Sequence, residues 1–399
     1  MLSVSGLDPL GGSGQLRNYQ WNVDQYSHIT LNNAVVNRPV VTTPQGNYGD
    51  VTTAISSLAS TSNTINGEVK STASHLRISP SENSQIVVTG GASLGNLFIC
   101  NGSNFGITRM TDVPINTDRS YYADGDNKSI CALAVPGNKF NSNLFICTTL
   151  RTEVNDALTT NHFFRIGKNY GRVDLWGTTQ HVANAYVSMY TTNAQGIVTK
   201  ITGQSTATTG EDGLCGGNIK SDLPGAYVAF VGSSTYELTP TFGGSVTFER
   251  AGTGTNVIHR ANTSTGEVFV TGGKLRFAAP GETWMCNGVA QTYKSDGGAW
   301  AGERVTVTNG VLAVGHSKAF PRTAQFRLGG GALELDAGVT LRVYSLELLV
   351  NGEWKRQRSG IWGAVDNENV PAVTRTPLIT GGGVLMVMGD GWGTKVILK

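Results

Sequence analysis

The middle of this 399-residue chain carries acidic and basic side chains of the types that act on polysaccharides. Hydrolysis of a glycosidic bond uses two carboxyl groups about 5 to 9 Å apart, one of which donates a proton. Spacing along the sequence does not show such a separation. We therefore predict no catalytic residue, and a polysaccharide lyase or hydrolase stays an alternative. The candidate acids are Asp124, Asp126, Asp174, Glu211 and Asp212, and the cationic residues Arg165, Lys168 and Arg172 are nearby in sequence.

One segment of this region, residues 123–129 ("ADGDNKS"), alternates oxygen-bearing side chains as a calcium loop does. It makes Asp124 and Asp126 the candidate metal ligands. The full calcium-loop signature needs another acidic ligand at its twelfth position, where this chain has Val135. An Asp-Gly turn explains the segment better, and we predict no cofactor.

The five cysteines include no Cys-x-x-Cys pair, so a compact zinc site is not expected. Cys100 and Cys147 end two copies of the pentapeptide Asn-Leu-Phe-Ile-Cys, 47 residues apart. If the two copies are neighbouring strands, the thiols lie about 5 Å apart and can form a disulfide. The alternative is that they are buried thiols acting as small hydrophobic groups. The histidines show no metal-binding spacing, and no G-x-S-x-G motif marks a nucleophilic serine.

Aromatic side chains and long polar insertions are frequent between residues 101 and 235. Loops of varied length on a regular scaffold often carry binding sites. Aromatic faces offer apolar area on which sugar rings can stack, so a groove here predicts contact with glycans. The alternative is that these rings belong to the core or flank strands. The stacking candidates are Tyr121, Tyr122, Trp176, Tyr186 and Tyr190.

Short β-strands are the elements that would position these groups. Between Ala299 and Val350, apolar and polar side chains alternate with a period of two, which is typical of strands with one buried face. The links between these runs are Asn309-Gly310, Gly329–Gly331 and Ala337-Gly338, where a backbone can turn with positive φ at little cost. The alternating runs are Arg304–Thr308, Val311–Val314, Gln325–Leu328, Ala332–Leu335 and Val339–Leu346.

Composition favours an all-β protein with many tight turns. The 52 glycines are nearly twice the usual share of about 7%, and charged residues make up 15% against about 25% in ordinary domains. The net charge of +2 comes without a basic cluster, so nucleic acid is not an expected partner. No apolar run reaches about 18 residues, so no transmembrane helix is predicted.

The sequence GVLAVG at 310–315, followed by LGGGALELDAGVTLRV at 328–343, resembles the autotransporter-associated β-strand repeat of secreted bacterial passenger proteins. Residues 351–399 are similar to the ends of large bacterial surface proteins that carry this repeat. The resemblance implies a parallel β-helix on an exported protein, and it implies no reaction and no partner. The residues that fit the repeat are Gly310, Leu312, Val314 and Gly315 in its first half, and Gly330, Ala332, Leu333 and Leu335 in its second.

Residues 1–14 have neither the positive n-region nor the apolar h-region of a signal peptide. Either the chain is cytosolic or phage-encoded, or Met1 begins a fragment whose export signal was removed. The resemblance favours the second reading. We therefore expect an extracellular or cell-surface location in bacteria, with the export signal absent from this chain.

The predicted fold is all-β: a right-handed parallel β-helix or solenoid with an elaborated, loop-rich N-terminal and middle part. For that part, a sandwich is the alternative. A solenoid needs its first coil covered, because an open end exposes backbone groups to edge pairing. The expected segments are an N-terminal cap or docking segment at 1–67, a β-rich region with long loops at 68–235, a β-helix with the repeat at 236–350, and a C-terminal β cap at 351–399.

The predicted function is structural or adhesive. Each coil of a solenoid contacts only its neighbours, which gives a stiff element whose ends can stack. We expect a secreted or surface protein that assembles with itself into fibres or filaments, or that contacts carbohydrate, so its expected partners are copies of itself and glycans. The alternatives are the polysaccharide-acting enzyme and a phage attachment protein of the tail-spike type.

Overall fold

The computed structural model describes most of the chain, and the described residues form strands and turns with one 3-10 helix and no α-helix. The chain divides into two compact units. The first contains Met1–Val182 together with Thr206–Thr208 and Cys215–Ile219, and the second contains the remainder. The described residues are 2–7, 16–20, 27–37, 39–44, 52–71, 75–94, 97–102, 106–117, 121–125, 128–140, 144–146, 148–166, 171–187, 190–192, 198–200, 218–238, 240–286 and 289–389.

The first unit is built from short strands separated by turns. They are β1 (Leu2–Leu7), β2 (Leu16–Gln20), β3 (Ser27–Val36), β4 (Val40–Pro44), β5 (Thr52–Ser57), β6 (Ser62–Ile65), β7 (Val69–Ser71), β8 (His75–Ser79), β9 (Gln85–Val88), β10 (Ala92–Leu94), β11 (Leu97–Gly102), β12 (Ile107–Met110), β13 (Ile115–Thr117), β14 (Tyr121–Gly125), β15 (Ile130–Leu133), β16 (Lys139–Phe140), β17 (Leu144–Ile146), β18 (Thr149–Thr152), β19 (Phe163–Ile166), β20 (Arg172–Asp174) and β21 (Thr179–Val182).

These strands form three parallel rows. Sheet I contains β1, β3, β5, β8, β11, β14, β17 and β19. Sheet II contains the end of β3 and then β6, β9, β12, β15, β18 and β20. Sheet III contains β2, β4, β7, β10, β13 and β16.

The chain visits the three rows in turn, so each strand pairs with the strand one coil earlier. This parallel coiling is consistent with the predicted β-helix-like solenoid. A sandwich is built mainly from antiparallel pairs, so the sandwich alternative does not fit the described strands of the first unit. The predicted segment boundaries differ from the division into two compact units and stay predictions.

Sheet II shows how the sequence pattern makes this coil. Ile86, Thr108, Cys131, Leu150 and Val173 occupy matching positions on successive strands, and all five are buried. Burial of an aliphatic side chain of this size contributes about 1.5 to 3 kcal/mol. The residues on either side of each position point outward, because side chains alternate along a strand. The coil therefore fixes which polar groups share the outer face.

The second unit contains the later strands. They are β22 (Asn184–Val187), β23 (Tyr190–Thr192), β24 (Val198–Lys200), β25 (Asn218–Ser221, which begins in the first unit), β26 (Tyr227–Phe230), β27 (Tyr236–Leu238), β28 (Thr241–Gly244), β29 (Thr247–Arg250), β30 (Thr255–Ile258), β31 (Ala261–Asn262), β32 (Val268–Val270), β33 (Lys274–Phe277), β34 (Thr283–Cys286), β35 (Val289–Lys294), β36 (Ala299–Trp300), β37 (Arg304–Val307), β38 (Val311–Val314), β39 (Gln325–Leu328), β40 (Ala332–Leu335), β41 (Thr340–Val343), β42 (Ser345–Val350), β43 (Glu353–Arg356), β44 (Gly360–Trp362), β45 (Ile379–Thr380) and β46 (Val384–Val387), with the 3-10 helix η1 (Ala372–Thr374) before β45.

Parallel pairing again dominates in this unit. Sheet IV contains β26, β29, β32, β37, β39 and β42, and β43 adds to it as an antiparallel last strand. Sheet V contains β27, β30, β33, β38, β40 and β45. A third side includes the parallel pairs β31–β36 and β41–β46. The alternating runs between 304 and 335 correctly predicted the strands β37 to β40. The single run predicted at Val339–Leu346 instead covers two strands, β41 and β42, which pair in different sheets.

The turns between these strands depend on glycine where the sequence predicts it. Gly310, Gly330 and Gly338 have φ values of 86°, 145° and 81°. A Cβ on Gly310 would lie 2.4 Å from the carbonyl oxygen of Gly273, one coil earlier. Gly310 is therefore required both by its backbone conformation and by the close stacking of successive turns.

Candidate functional site

Four polar side chains form a small patch on the outer face of sheet II. Thr149 pairs with Arg172, and Arg151 pairs with Asp174, in the register between β18 and β20. Neighbouring strands lie about 4.8 Å apart, and alternate residues along a strand lie about 6.6 Å apart. The four side chains therefore begin at the corners of a rectangle of roughly 5 by 7 Å.

Asp174 holds this patch together. Its side chain is buried, with the residue only 4% exposed, although it lies on the outer face. One carboxylate oxygen, Oδ2, accepts a hydrogen bond from Arg151 Nε at 3.2 Å and lies 3.1 Å from Arg151 Nη2 in an ion pair. The other, Oδ1, accepts one from the backbone N–H of Trp176 at 3.2 Å. Because a buried carboxylate is costly unless it is paired, these contacts fix both Arg151 and the start of the following turn.

Trp176 lies in that turn with its backbone in the left-handed region. Its φ is 47° and that of Gly177 is 76°, while the N–H of Thr178 donates to the carbonyl of Leu175 at 2.8 Å. Two consecutive residues with positive φ are typical of a type I′ turn, which favours asparagine and glycine. A bulky side chain in this conformation costs about 1 to 2 kcal/mol. An exposed aromatic residue held at such a cost is a candidate functional residue.

The indole ring of Trp176 is stacked on the guanidinium of Arg151. The Arg151 Cζ atom lies 3.8 Å from the ring centroid, and Trp176 remains 41% exposed. A guanidinium at this distance is attracted to the aromatic face and keeps the ring in place. The ring is thus an exposed apolar platform, supported from one side and held through Asp174.

Arg172, at the opposite corner from Arg151, has unused hydrogen-bonding capacity. Its Nη2 donates to Thr149 Oγ1 at 3.1 Å, but its buried Nε has no acceptor among the described residues. The next strand contributes Asn218, whose backbone N–H donates to Gly171 O at 3.3 Å. The buried Oδ1 of Asn218 likewise has no donor in the described part of the chain. Unpaired buried polar atoms are uncommon and often mark sites that bind water or a ligand.

The sequence-predicted candidates Asp174, Arg172 and Trp176 therefore lie close together in the first unit. Sequence reasoning placed Trp176 among the aromatic candidates and the other two among the charged ones, without linking them. It missed Arg151 and Thr149. Thr149 and Arg151 occupy the same outward positions on β18 as Arg172 and Asp174 occupy on β20. This correspondence could have identified them, but it is visible only when the pairing of the two strands is known.

The other predicted stacking residues are not brought to this patch by any described contact. Tyr121 and Tyr122 lie on β14, in register with Phe98 and Ile99 of β11. Tyr186 and Tyr190 lie on β22 and β23 of the second unit. The side chains of these four tyrosines lie outside the described part of the structure, so their predicted role stays a prediction.

The side chains of the predicted metal ligands also lie outside the described part of the structure. The backbone of Asp124 lies on β14, while its side chain and all of Asp126 lie outside the described part. The described residues contain no group of three or more His, Cys, Asp or Glu side chains able to hold a metal ion. Three other predicted candidates, Lys168, Glu211 and Asp212, are also outside the described residues, as is the side chain of Arg165.

The two Asn-Leu-Phe-Ile-Cys copies lie on strands that are not neighbours. β14 lies between β11 and β17 in sheet I, so the premise of the predicted disulfide is not met. The copies are also offset by one residue, since Cys100 aligns with Ala123 and Ala123 aligns with Ile146. Cys147 lies outside the described residues, and the pairing itself stays untested.

The second unit carries a charged cluster on the outer face of sheet V. Lys274 Nζ contacts Glu334 at 2.8 Å, across the intervening strand β38. Arg276 contacts Asp336 at 2.8 Å and Glu282 at 2.9 Å, each through two hydrogen bonds. Burial opposes ionisation of Glu282, but hydrogen bonds from Arg276 and from the backbone of Ala279 outweigh it and lower its pKa.

No helix in the described part of the chain has the length and apolar character needed to cross a membrane. In comparisons with known proteins, no family model, no curated protein and no solved structure matches this chain.

Proposed function

We propose that this protein is a secreted or cell-surface β-solenoid with a structural or adhesive role that contacts carbohydrate through Trp176. Its coil is then a right-handed parallel β-helix, and its 299–350 segment is an autotransporter-type repeat. The observation that carries the proposal is the exposed indole of Trp176, held in a left-handed turn by Asp174 and backed by Arg151.

The chemistry of the Trp176 patch supports carbohydrate contact. A sugar ring has an apolar face and a polar rim, so its receptor combines an exposed aromatic surface with hydrogen-bonding groups nearby. The patch offers the exposed ring of Trp176 together with the guanidinium of Arg172, which the buried hydroxyl of Thr149 holds in place. Arg151 and Asp174 hold each other in place, so little side-chain freedom is lost on binding.

A glycan array probed with the full chain tests this function. The test variant is Trp176→Ala, and the matched control is Trp354→Ala, which removes a tryptophan stacked near Arg327 in the second unit. We expect the wild type and the control to bind the same glycans, and Trp176→Ala to lose at least about tenfold in affinity. Equal binding by the wild type and Trp176→Ala would show that the Trp176 patch does not bind glycans. If the wild type binds no glycan, carbohydrate contact is refuted.

Self-assembly is the second part of the proposed role. The described last strand of sheet IV suggests which surface copies of the chain do not use to contact each other. β43 places the exposed residues Glu353, Lys355 and Arg356 at the edge of that sheet. Charged side chains on an edge strand disfavour pairing with another chain. We therefore expect contacts between copies to use other surfaces than this edge.

Light scattering over a concentration series, followed by negative-stain electron microscopy, tests the assembly. Fibres or rings support it, and a strictly monomeric species at high concentration contradicts it. A defined trimer would instead favour the alternative of a phage attachment protein, because β-helical shafts of that kind are trimeric.

A polysaccharide-acting enzyme is the other alternative, and Arg276 with its two carboxylates is the described arrangement closest to it. Hydrolysis needs one carboxyl group that keeps a proton near neutral pH. Arg276 instead favours the ionised form of Glu282 and lowers its pKa. The cluster is better explained as ion pairs that join β33 to the end of β40 across β38.

A further inference from the structure

We infer that the Trp176 patch takes an acidic sugar, one that carries a carboxylate or sulfate group, and that Arg172 binds the anion. This rests on the proposed contact with carbohydrate and adds the chemical class of the ligand. The inference comes from which charged side chains of the patch are paired with an opposite charge and which are not.

The two arginines of the patch differ in their partners. Arg151 is neutralised by Asp174, whose two oxygens are both occupied by Arg151 and by the backbone of Trp176. Arg172 has a hydroxyl as its side-chain partner, Thr149 Oγ1, and no carboxylate reaches it among the described residues. The four residues at the corners of the patch therefore carry one uncompensated positive charge, and it lies on Arg172.

The geometry of Arg172 favours an anion over a neutral hydroxyl group. A guanidinium presents a planar fork of N–H donors that matches the two oxygens of a carboxylate or sulfate. The Nε edge of this fork lacks an acceptor in the described structure. Because this Nε is buried, an anion would meet Arg172 through its terminal nitrogens, where its two oxygens would accept from two donors and a single hydroxyl from one.

The environment of Trp176 points to the same class of ligand. A guanidinium 3.8 Å from one face of the indole draws electron density from the ring. The exposed face is then less suited to a cation and better suited to a sugar that carries negative charge. Asp174 does not repel such a ligand strongly, because its carboxylate is buried and paired.

Binding of the full chain to one oligosaccharide in two charge states tests this inference. The probes are an oligogalacturonate and its fully methyl-esterified form, which have the same backbone with and without carboxylates. The variants are Trp176→Ala, Arg172→Gln and, as a control for lost positive charge, Arg304→Gln on the exposed surface of the second unit. Circular dichroism confirms that each variant folds, and affinities are measured at low and high salt by isothermal titration calorimetry.

We expect the acidic form to bind at least about tenfold more tightly than the ester, and to weaken as salt rises. Arg172→Gln should lose about five- to tenfold on the acidic form and little on the ester, while Arg304→Gln changes neither. Equal affinity for the two forms, with loss in Trp176→Ala, would overturn the acidic class and leave carbohydrate contact standing. An acidic preference that survives Arg172→Gln would overturn the role of Arg172.

Discussion

The side chain of Asn138 accepts a hydrogen bond from the backbone N–H of Ile115, with 2.8 Å between Oδ1 and N. The same amide donates to the carbonyl of Ala157, also at 2.8 Å. Ile115 lies one coil before Asn138 and Ala157 one coil after it, so one buried side chain joins three successive turns of the chain. Two other buried asparagines bridge turns in this way: Asn63 between Ala34 and Gln85, and Asn262 between Phe242 and Ala299.

Removing such a bridge should destabilise the first unit strongly. In Asn138→Ala, the N–H of Ile115 and the C=O of Ala157 are left buried without their partner. An unpaired buried polar group costs about 1 to 3 kcal/mol, so we expect a loss of about 2 to 4 kcal/mol. Urea unfolding measures the total, and faster hydrogen exchange at the Ile115 amide shows that the effect is local. The control Asn66→Ala removes an exposed amide and should cost less than about 1 kcal/mol.

Two glycines separate the cost of a left-handed backbone from the cost of a steric clash. Gly310 and Gly338 have nearly equal φ values, 86° and 81°. A Cβ on Gly338 meets no atom within 4 Å, whereas one on Gly310 lies 2.4 Å from Gly273 O. Gly338→Ala should therefore cost about 1 to 2 kcal/mol, and Gly310→Ala about 3 kcal/mol or more. Similar losses in thermal unfolding would show that the close stacking of turns is not a constraint.

Acid should destabilise the first unit through His162. This residue is 2% exposed, and burial lowers its pKa from 6.5 to about 4. Its Nε2 faces the N–H of Phe140 at 3.2 Å and its Nδ1 that of Thr159 at 3.1 Å. A neutral imidazole accepts a hydrogen bond through one nitrogen, and the protonated ring accepts none. The structure therefore requires the neutral form.

The sign of the pH dependence follows from this pKa. Below pH 6.5 the unfolded chain binds a proton at His162 that the folded chain does not bind until about pH 4. Stability should fall by up to about 3 kcal/mol between these two values and then level off. Chemical denaturation at a series of pH values measures it. In His162→Asn this part of the pH dependence should disappear, and an unchanged slope would assign it to other groups.

Asp174→Asn should loosen the turn that holds Trp176. The substitution keeps the size of the side chain but removes the charge that neutralises Arg151, whose side chain is 20% exposed. We expect a loss of about 2 to 3 kcal/mol, somewhat below the value for a fully buried pair. Acrylamide quenching of tryptophan fluorescence should also increase. The control is Asp222→Asn, because Asp222 is an exposed partner of Lys220 and should contribute little. Equal effects of the two substitutions would mean that burial of Asp174 is unimportant.

The sequence by itself determined that the chain forms short β-strands joined by turns. In the repeat it also determined where along the chain the strands lie. Val305 and Val307 are buried and Arg304 is exposed, as the alternation at 304–308 predicted, because the direction of a side chain along a strand depends only on its neighbours. Gly310 has the positive φ that its place between two alternating runs predicted. These features are local, so one sequence is enough to predict them.

The tertiary structure alone decided which residues share a face. The repeated Asn-Leu-Phe-Ile-Cys strands looked equivalent, but their register is offset by one residue, and such an offset moves every side chain to the other face. Arg151 and Asp174 are 23 residues apart in sequence, and they meet because β18 and β20 pair in this register. Residue spacing along the chain does not reveal which strands pair or in which register. The patch around Trp176 is for that reason a property of the coil.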